Sequence, residues 1–388
     1  MKILFYRYGS ICEEDIIEAF HEYGIETQEV LEEVYNKQLL PGDCVRILNA
    51  ALDKDNYAFV FSINFFPTVS DVCNIYHIPY MCLIVDSPVL ELYSESIRNP
   101  YNRIFLFDRE LYNEFHSYNP ECIFHIPLAT NVKRWDKVIN SDRTDRFTSE
   151  ISFVGSLYTE KSPLKLDNAP DYIKGYVDGL VEAQLKIYGY YFIDNLLTDE
   201  LAETILNQMP QHYEFLDNYR VNNKALVSQL YIGSRISAEE RLRIFHMLSQ
   251  KYNVDIYTGS DTTSLPKLHN RGLAKTHTEM PLIFNRTGIN LNITSKPIRS
   301  GIPLRVFDIL GCGGFLITNY QTELPEFFSI GEHLEAYDSF EDLDNKVSFY
   351  LEHPELREEI ARAGYEFVKE NHTYTVRVGQ MISLAFGK

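Results

Sequence analysis

The sequence predicts an α/β protein with two comparable halves, each built on a parallel sheet that is covered by helices. Short apolar runs alternate with amphipathic segments through the first 130 residues. The same alternation begins again at the apolar run Ile151–Val154. Few hairpin turn signals separate the runs, and strands that alternate with helices form parallel sheets. An antiparallel α+β arrangement of the first half is the alternative.

Apolar runs in the first half predict strands buried in a sheet: Lys2–Tyr6, Tyr57–Asn64, Tyr80–Val85, Ile104–Phe107 and Cys122–Ile126. The longer continuous runs are typical of strands that are covered on both faces. Amphipathic spacing predicts helices over Glu13–Tyr23 and Val69–Tyr76. Gly24 follows the first of these helices as a C-cap residue would.

The second half begins after a polar stretch, Lys133–Ser149, which predicts a linker. Residues from 160 to about 230 lack strand signals and predict a helical insertion, with helices over Tyr172–Tyr191 and Asp199–Asn207. A helix over Ala238–Lys251 follows, and Ser237 is its expected N-cap. Further strands and helices are predicted over Val254–Thr258, Ile289–Ile293, Pro303–Leu310, Phe315–Thr318, Asp342–Glu352 and Leu356–Asn371.

Charge and composition exclude several classes of protein. The 388 residues carry 36 Lys and Arg against 55 Asp and Glu, a formal net charge of −19. Nucleic acids and anionic membrane surfaces are bound by clustered Lys and Arg, so neither partner is expected. No segment reaches the roughly 18–20 apolar residues of a membrane helix. The apolar start ends at Arg7, and no signal peptide is predicted.

Motif absences narrow the choice further. The six cysteines form no CxxC pair, and several stand in apolar runs as buried reduced thiols do. We therefore expect a soluble cytoplasmic protein without structural zinc. No GxGxxG, GxxxxGK[ST] or GxSxG occurs between a strand and a helix, and no HExxH occurs. A dinucleotide-binding dehydrogenase, a P-loop NTPase, an α/β-hydrolase and a zinc protease thus lose their main support.

The most informative stretch is residues 288–327. A buried strand ends near Ile293, and a polar loop with Lys296 and Arg299 leads to Gly301 and to Pro303 at the expected start of a helix. A helix N-terminus behind a glycine and two cations favours an anion, contacted by residues 299–305. Asp308 stands where its carboxylate could accept hydrogen bonds from the vicinal hydroxyls of a ribose. An ordinary capped helix with a surface Asp is the alternative.

Several segments resemble the carboxyl-terminal domain of the GT-B glycosyltransferases, in the group related to the spore-maturation protein CgeB. They are Ile151–Tyr158, Leu304–Tyr320, Glu323, Tyr350–Gly364 and His372–Arg377. Ile84–Pro88 and Ile126–Asn131 resemble the amino-terminal domain of that group. The resemblance implies two Rossmann-like domains that face each other across a cleft, at 1–131 and 132–366, with the insertion at about 160–230. Residues 367–388 would form a helix that packs back on the first domain.

The resemblance also implies which residues bind the sugar donor. Two acidic residues eight positions apart usually face the donor sugar and the ribose; the second falls on Asp308 and the first on Ser300, which is not acidic. A cationic pair for the diphosphate falls on Ser156 and Lys161, after Gly155, so that only the lysine matches. The donor-binding residues expected are Gly155, Ser156, Lys161, Thr258, His277, Thr278, Arg299, Ser300, Gly301, Ile302, Pro303, Leu304, Arg305 and Asp308. Arg299 or Arg305 would supply the missing cation, and Thr258, His277 and Thr278 would lie near the nucleobase. His277 could contact the base or a phosphate, with a loop histidine bonded to the backbone as the alternative.

The first half is expected to contact the acceptor. Asp86 ends a buried strand before Pro88, and its carboxylate is a candidate base for an acceptor hydroxyl, with a helix cap as the alternative. Further acceptor-side candidates are Gly9, Ser10, Asn64 and Asp108. His372 precedes the terminal helix and is interpreted as structural.

The function implied is transfer of a sugar from a nucleotide diphosphate sugar, a UDP-sugar above others, to an unknown acceptor. The enzyme would be of the hexosyltransferase type and would use neither a metal nor another cofactor. A nucleotide-sugar epimerase of related fold and a non-catalytic nucleotide-binding or assembly protein are the alternatives. The insertion could carry acceptor specificity or a dimer contact, and the oligomeric state is left open.

Overall fold

A computed structural model describes residues 1–37, 39–160, 164–209, 211–216 and 218–387. The chain divides into two compact units. The first unit comprises Met1–Thr130, Phe215–Val221 and His372–Lys388, and the second comprises Asn131–Glu214 and Asn222–Asn371. Each unit contains a six-stranded sheet whose neighbouring strands are parallel. The predicted α/β class with two parallel sheets is confirmed.

The sheet of the first unit has the order β2-β1-β3-β4-β5-β6. Its strands are β1 (Lys2–Tyr6), β2 (Glu26–Val30), β3 (Val60–Ile63), β4 (Tyr80–Leu83), β5 (Asn102–Leu106) and β6 (Ile123–His125). The strands β3 and β4 are buried along their whole length, as continuous apolar runs require. Helices follow between the strands: α1 (Glu13–Glu22), α2 (Glu32–Tyr35), α3 (Pro41–Leu52), α4 (Pro67–Tyr76) and α5 (Arg109–Phe115).

The sheet of the second unit has the order β12-β11-β10-β7-β8-β9. Its strands are β7 (Ser149–Val154), β8 (Val254–Tyr257), β9 (His269–Asn270), β10 (Thr287–Asn292), β11 (Leu316–Asn319) and β12 (Glu335–Tyr337). Branched and aromatic side chains of β7, β8 and β10 form its core with the inner faces of the surrounding helices.

The helices of the second unit are α6 (Val132–Ser141), α7 (Asp171–Gln184), α8 (Ile193–Leu196), α9 (Asp199–Gln208), α10 (Asn223–Ala225), α11 (Gly233–Ser249), α12 (Met280–Arg286), α13 (Leu304–Gly311), α14 (Leu324–Phe327), α15 (Phe340–Glu352) and α16 (Pro354–Asn371). The predicted linker over Lys133–Ser149 is wrong, because α6 occupies most of it and buries Val132 and Trp135. The prediction that Ser237 is the N-cap of the helix over Ala238–Lys251 is also wrong. Ser237 lies inside α11, where its hydroxyl donates to the carbonyl of Gly233 at 2.8 Å.

The last helix, α17 (Tyr374–Phe386), belongs to the first unit and packs on α1. Arg377 donates from Nη2 to the carbonyl oxygen of Leu128 at 3.0 Å. The segment Phe215–Val221 joins the same unit, since Arg220 N donates to the carbonyl oxygen of Tyr93 at 2.9 Å. Among the residues that the structure describes, no helix is both long and apolar enough to cross a membrane.

Candidate functional site

The candidate donor site lies at the carboxyl edge of the second sheet. The strands β11, β10, β7 and β8 are neighbours and parallel, so the loops that follow them begin side by side. Gly155 and Ser156 follow β7, and Thr258 follows β8. Residues 299–303 belong to the loop that leaves β10, and Leu304 and Arg305 begin α13. The structure thus brings most of the expected donor-binding residues to one edge.

The loops after β7 and β8 are joined by hydrogen bonds. Gly155 N donates to the carbonyl oxygen of Tyr257 at 3.1 Å, and Leu157 N donates to Ser260 Oγ at 2.8 Å. Thr258 Oγ1 lies 3.1 Å from Ser260 Oγ, and the Thr258 side chain is buried. Thr258 therefore helps to hold this pair of loops together.

Ser156 contacts an acid. Its hydroxyl donates to Glu160 Oε1 at 2.6 Å. Burial opposes ionisation of Glu160, but hydrogen bonds from Ser156, the backbone and Ser260 outweigh it and lower the pKa of this carboxyl to about 2. The loop after β7 therefore carries a negative charge next to Ser156. The expected diphosphate contact Lys161 lies outside the described residues.

The loop after β10 is anchored to α11 by a buried ion pair. Lys296 Nζ donates to Glu240 Oε1 at 2.8 Å, and the two side chains are 9% and 0% exposed. Lys296 N also donates to Ser237 Oγ at 2.9 Å. The ammonium group lies 4.6 Å from the centre of the Tyr188 ring. Lys296 thus fixes this loop to the helix behind it.

Arg241 is a site residue that the sequence reasoning missed. Its guanidinium donates to the carbonyl oxygens of Ser156 and Ile293, which begin the loops after β7 and β10. Burial lowers its pKa, and its Nε has no hydrogen-bond partner within the described ranges. The guanidinium also lies over the Tyr158 ring at 4.5 Å. Arg241 places a buried positive charge at the donor edge and makes no ion pair with a described carboxylate.

The N-terminus of α13 is held by the loop after β11. Pro303 is the N-cap residue and Leu304 the first helical residue, one position later than predicted. Gln321 Nε2 donates to the carbonyl oxygens of Ile298 and Gly301 at 3.1 and 3.2 Å. The residues Ser300, Gly301 and Ile302 are buried. The backbone entering α13 is therefore fixed in place.

Asp308 and the two expected cations are found in ion pairs. Asp308 is 4% exposed, and its Oδ2 lies 3.4 Å from Arg305 Nη1. Burial lowers the pKa of Arg305 while Asp308 opposes this shift. Arg299 Nη1 lies 3.4 Å from Asp194 Oδ2. Each arginine thus has a carboxylate beside it, in contrast to Arg241.

His277 and Thr278 lie in the turn that leads into α12. His277 Nδ1 is 3.3 Å from Arg134 Nη1, and its ring stacks on Trp135 with a centroid distance of 6.3 Å. Thr278 is exposed. Their expected role beside a nucleobase stays a prediction.

In the first unit, Asp86 is held at the carboxyl edge of the sheet. Asn64 Nδ2 donates to Asp86 Oδ2 at 2.6 Å and to Tyr8 OH at 2.9 Å. Burial, followed by the charge of Asp86, raises the pKa of the Tyr8 phenol. Asp86 is exposed and is not the cap of the following helical turn, whose N-cap is Val89. The structure therefore favours an oriented, solvent-accessible carboxylate over the helix cap.

The other first-unit candidates have local structural partners. Gly9 N donates to Glu13 Oε1 at 3.0 Å, and Ser10 Oγ lies 3.4 Å from Cys12 Sγ. Asp108 is the N-cap of α5, is 1% exposed and accepts from Leu111 N at 3.1 Å.

His372 is buried in the same unit, with Nδ1 at 2.8 Å from Arg377 Nη2. This geometry fits the structural interpretation of His372. The acceptor-side roles of Gly9, Ser10, Asn64 and Asp108 stay predictions. Among the side chains that the structure describes, no group of three or more His, Cys, Asp or Glu could hold a metal ion.

A comparison with protein families finds a match for part of the chain. Residues 239–383 match the family described as glycosyl transferase-like. This match covers fewer than half of the residues and includes Arg241, Lys296, α13 and Asp308. No curated protein matches the chain.

Solved structures match the fold along nearly the whole chain. Sucrose-phosphate synthase (tll1590) from Thermosynechococcus elongatus has a TM-score of 0.55 and 12% identity, covering 100% of this chain and 99% of that chain. Anabaena Alr3699/HepE in complex with UDP-glucose has a TM-score of 0.54 and 11% identity, covering 99% of this chain and 98% of that chain. T4 phage BGT in complex with its UDP-glucose substrate has a TM-score of 0.51 and 10% identity, covering 100% of both chains. The chain therefore has the GT-B fold of glycosyltransferases.

Proposed function

We propose that this protein is a glycosyltransferase that takes its sugar from a nucleotide diphosphate donor, a UDP-sugar above others. The observation that carries the proposal is the carboxyl edge of the second sheet. The N-terminus of α13, the buried Asp308 and the buried charge of Arg241 all belong to the glycosyl transferase-like region, and Arg241 holds the carbonyl oxygens that begin two loops of that edge. The fold shared with glycosyltransferases solved in complex with UDP-glucose supports the same donor class.

In this proposal the diphosphate binds at the start of α13. Backbone N–H groups at a helix N-terminus point at an anion, and the helix dipole favours its charge. Arg241 adds a positive charge in a buried setting, where electrostatic attraction is stronger than in water. The same groups would stabilise the departing nucleotide diphosphate, so the proposal assigns no step to a divalent metal.

Asp308 is proposed to accept hydrogen bonds from the ribose hydroxyls. It lies on the second turn of α13, and its carboxylate is already oriented by Arg305. In the first unit, Asp86 is proposed as the base for the acceptor hydroxyl, because Asn64 orients its carboxylate while leaving it exposed. Membership of the CgeB-like subgroup and a cytoplasmic location are also parts of the proposal, which names no acceptor.

Calorimetric titration with UDP and UDP-glucose tests the donor assignment. Hydrogen bonds from the ribose hydroxyls to the Asp308 carboxylate would be charge-assisted, so Asp308→Ala should weaken UDP binding about tenfold or more. Asp178→Ala removes an exposed carboxylate of α7 that pairs with Arg235 and should leave UDP binding unchanged. Circular dichroism of each variant separates a lost contact from a lost fold. Equal UDP affinity in the wild-type chain and Asp308→Ala would contradict the ribose assignment.

Product analysis tests the reaction. Incubation with UDP-glucose and a panel of sugar, lipid and peptide acceptors should give glycosylated product, and excess EDTA should leave the rate unchanged. Conversion of the donor to another nucleotide sugar without any acceptor would instead identify an epimerase. Tight UDP-glucose binding without turnover across the panel would favour the non-catalytic alternative.

A further inference from the structure

We infer that the second unit carries a separate anion site for a small phosphate monoester, at the amino edge of its sheet. The site is a cavity of about 460 Å³. The residues that matter to the inference are Arg286, Thr287, Gly288, Phe315, Arg357 and Arg362. No expected donor-binding residue lines it.

The cavity lies at the opposite end of β10 from the donor edge. Thr287 and Gly288 are the first two residues of β10, and Phe315 immediately precedes β11. The loop toward α13 leaves from the other end of β10, after Asn292. A strand rises about 3.3 Å per residue, so the six residues of β10 separate the two edges by roughly 15–20 Å. A ligand in this cavity is thus distinct from the donor.

Arg357 supplies a cation with unused hydrogen-bond donors. Its Nη1 donates to the carbonyl oxygen of Tyr350, while Nη2 makes no hydrogen bond with a described residue. Nη2 lies 3.6 Å from the point that a Cβ at Gly288 would occupy, so the guanidinium reaches the start of β10. It forms no ion pair within the described ranges, and burial lowers its pKa while Glu358 and Glu355 oppose this shift. An oxyanion in the cavity would meet this free edge of the guanidinium.

Two further arginines line the cavity beside Arg357. Arg362 is exposed and makes no hydrogen bond or ion pair with the residues described. Arg286 is fixed by the carbonyl oxygens of Arg146 and Asp142 and by the Asp142 carboxylate at 3.3 Å. Two carboxylates, Asp136 and Glu358, line the cavity against the three arginines. Because Asp142 already pairs with Arg286, Arg357 and Arg362 are the arginines of the lining that are left for an anion.

The rest of the lining suits a monoester with an apolar group. Thr287 is 6% exposed, and its hydroxyl oxygen has no hydrogen-bond partner among the described residues. Such a buried group calls for a ligand or an ordered water as its partner. Ile139, Phe315 and Ala361 form an apolar wall beside the arginines. Inorganic phosphate would use the arginines alone, whereas an aryl phosphate would also bury its ring against this wall.

Calorimetry with phenyl phosphate on the full-length chain tests the inference. We expect saturable binding to the wild-type chain, tighter than that of inorganic phosphate, and no binding of phenol. Arg357→Met keeps the aliphatic stem and removes the charge, so it should weaken phenyl phosphate binding about tenfold. The matched control Arg243→Met removes a half-buried arginine of α11 that pairs with Glu182 outside this cavity and should leave the binding unchanged.

Two further measurements distinguish the cavity from the donor edge. Asp308→Ala should retain phenyl phosphate binding, and saturating UDP should not displace the ligand. Competition by UDP, equal loss in Arg243→Met and Arg357→Met, or no saturable binding to the wild-type chain would each overturn the inference. Because it does not rest on the proposed function, weak UDP binding together with intact phenyl phosphate binding would contradict the donor assignment alone.

Discussion

Ser300 and Glu323 are joined by two hydrogen bonds at the entrance to α13. Ser300 Oγ donates to Glu323 Oε1 at 2.7 Å, and Glu323 N donates to the carbonyl oxygen of Ser300 at 3.3 Å. The two residues are 3% and 1% exposed. Position 300 lacks the acid that the resemblance implies, yet a buried carboxylate lies within hydrogen-bond distance of it. This contact ties the loop before α13 to the loop after β11.

Removing the serine hydroxyl should destabilise the second unit. Ser300→Ala takes a charge-assisted hydrogen bond from a buried carboxylate, which costs about 1.5–3 kcal/mol of unfolding free energy. Glu323→Gln in the same background should recover part of this loss, because a neutral amide is less costly to bury. Urea unfolding of the two single variants and the double variant gives the coupling energy directly.

The control for this cycle is Glu332→Gln, which neutralises an exposed acid in the turn before β12. It should change the unfolding free energy by no more than about 0.5 kcal/mol. A coupling energy near zero between positions 300 and 323 would show that the hydrogen bond contributes nothing to the loop.

Glu160 should titrate at unusually low pH. Burial raises the pKa of this carboxyl, but the hydrogen bond from Ser156 and the others that it accepts bring the pKa to about 2, below the ordinary 4.5. Because the folded-state pKa lies below the unfolded one, these contacts stabilise the fold above pH 4.5. Their contribution is lost as the pH falls from 4.5 towards 2.

Carbon-13 NMR titration of the Glu160 carboxyl measures this effect. Ser156→Ala should raise the pKa of Glu160 toward its ordinary value, because it removes the 2.6 Å hydrogen bond. Ser141→Ala, at the end of α6, serves as the control, since its hydroxyl donates only to the carbonyl oxygen of Val138. An identical Glu160 titration in wild type and Ser156→Ala would refute the assignment.

The ion pair of Lys296 and Glu240 should be costly to break from one side. Lys296→Met leaves the 0% exposed carboxylate of Glu240 without its cation, a change that typically costs about 3–5 kcal/mol. Adding Glu240→Gln should restore much of that stability. The pair of the exposed Lys251 and the half-buried Asp344 provides the contrast, because Lys251→Met should cost at most about 1 kcal/mol.

Thermal and urea unfolding of these variants report the difference. A similar small loss for Lys296→Met and Lys251→Met would mean that the loop after β10 does not depend on the buried pair. A large loss for Lys296→Met that Glu240→Gln does not relieve would instead assign the effect to lost packing of the lysine stem.

The sequence predicted the buried parts of the fold better than its edges. The continuous apolar runs of β3 and β4 give an unmistakable strand signal because both faces are covered. The edge strand β2 has the sequence ETQEV, and its alternating exposure leaves it looking like a polar loop. The polar helix α6 was taken for a linker because it buries only a narrow apolar stripe.

The candidate site also has parts that the sequence predicts and parts that it does not. Asp308 and the start of α13 are local features, visible as spacing along one stretch of sequence. The role of Arg241 is not local, because its carbonyl partners are 85 and 52 residues away. In the sequence Arg241 is one more charged residue of an amphipathic helix. The hydrogen bond between Ser300 and Glu323, 23 residues apart, likewise requires the sheet order to be known.

Gly364 in α16 should tolerate no side chain. A Cβ at this position would overlap the carbonyl oxygen of His333 and lie 3.0 Å from Leu310 Cδ2. Because a backbone oxygen cannot turn aside as a flexible side chain can, α16 would have to move away from the turn at His333. We expect Gly364→Ala to lower the unfolding free energy by about 1–3 kcal/mol, measured by urea titration.

Gly175 in α7 gives the matched control for Gly364, since both glycines lie inside helices. A Cβ at Gly175 would meet nothing within 4 Å, and its φ is not left-handed. Gly175→Ala should therefore raise the unfolding free energy by about 0.4–1 kcal/mol, because alanine restricts the unfolded chain. The two substitutions are chemically identical, so opposite signs would isolate the close approach of α16 to the turn at His333. Stabilisation by both would show that the approach is looser than this geometry.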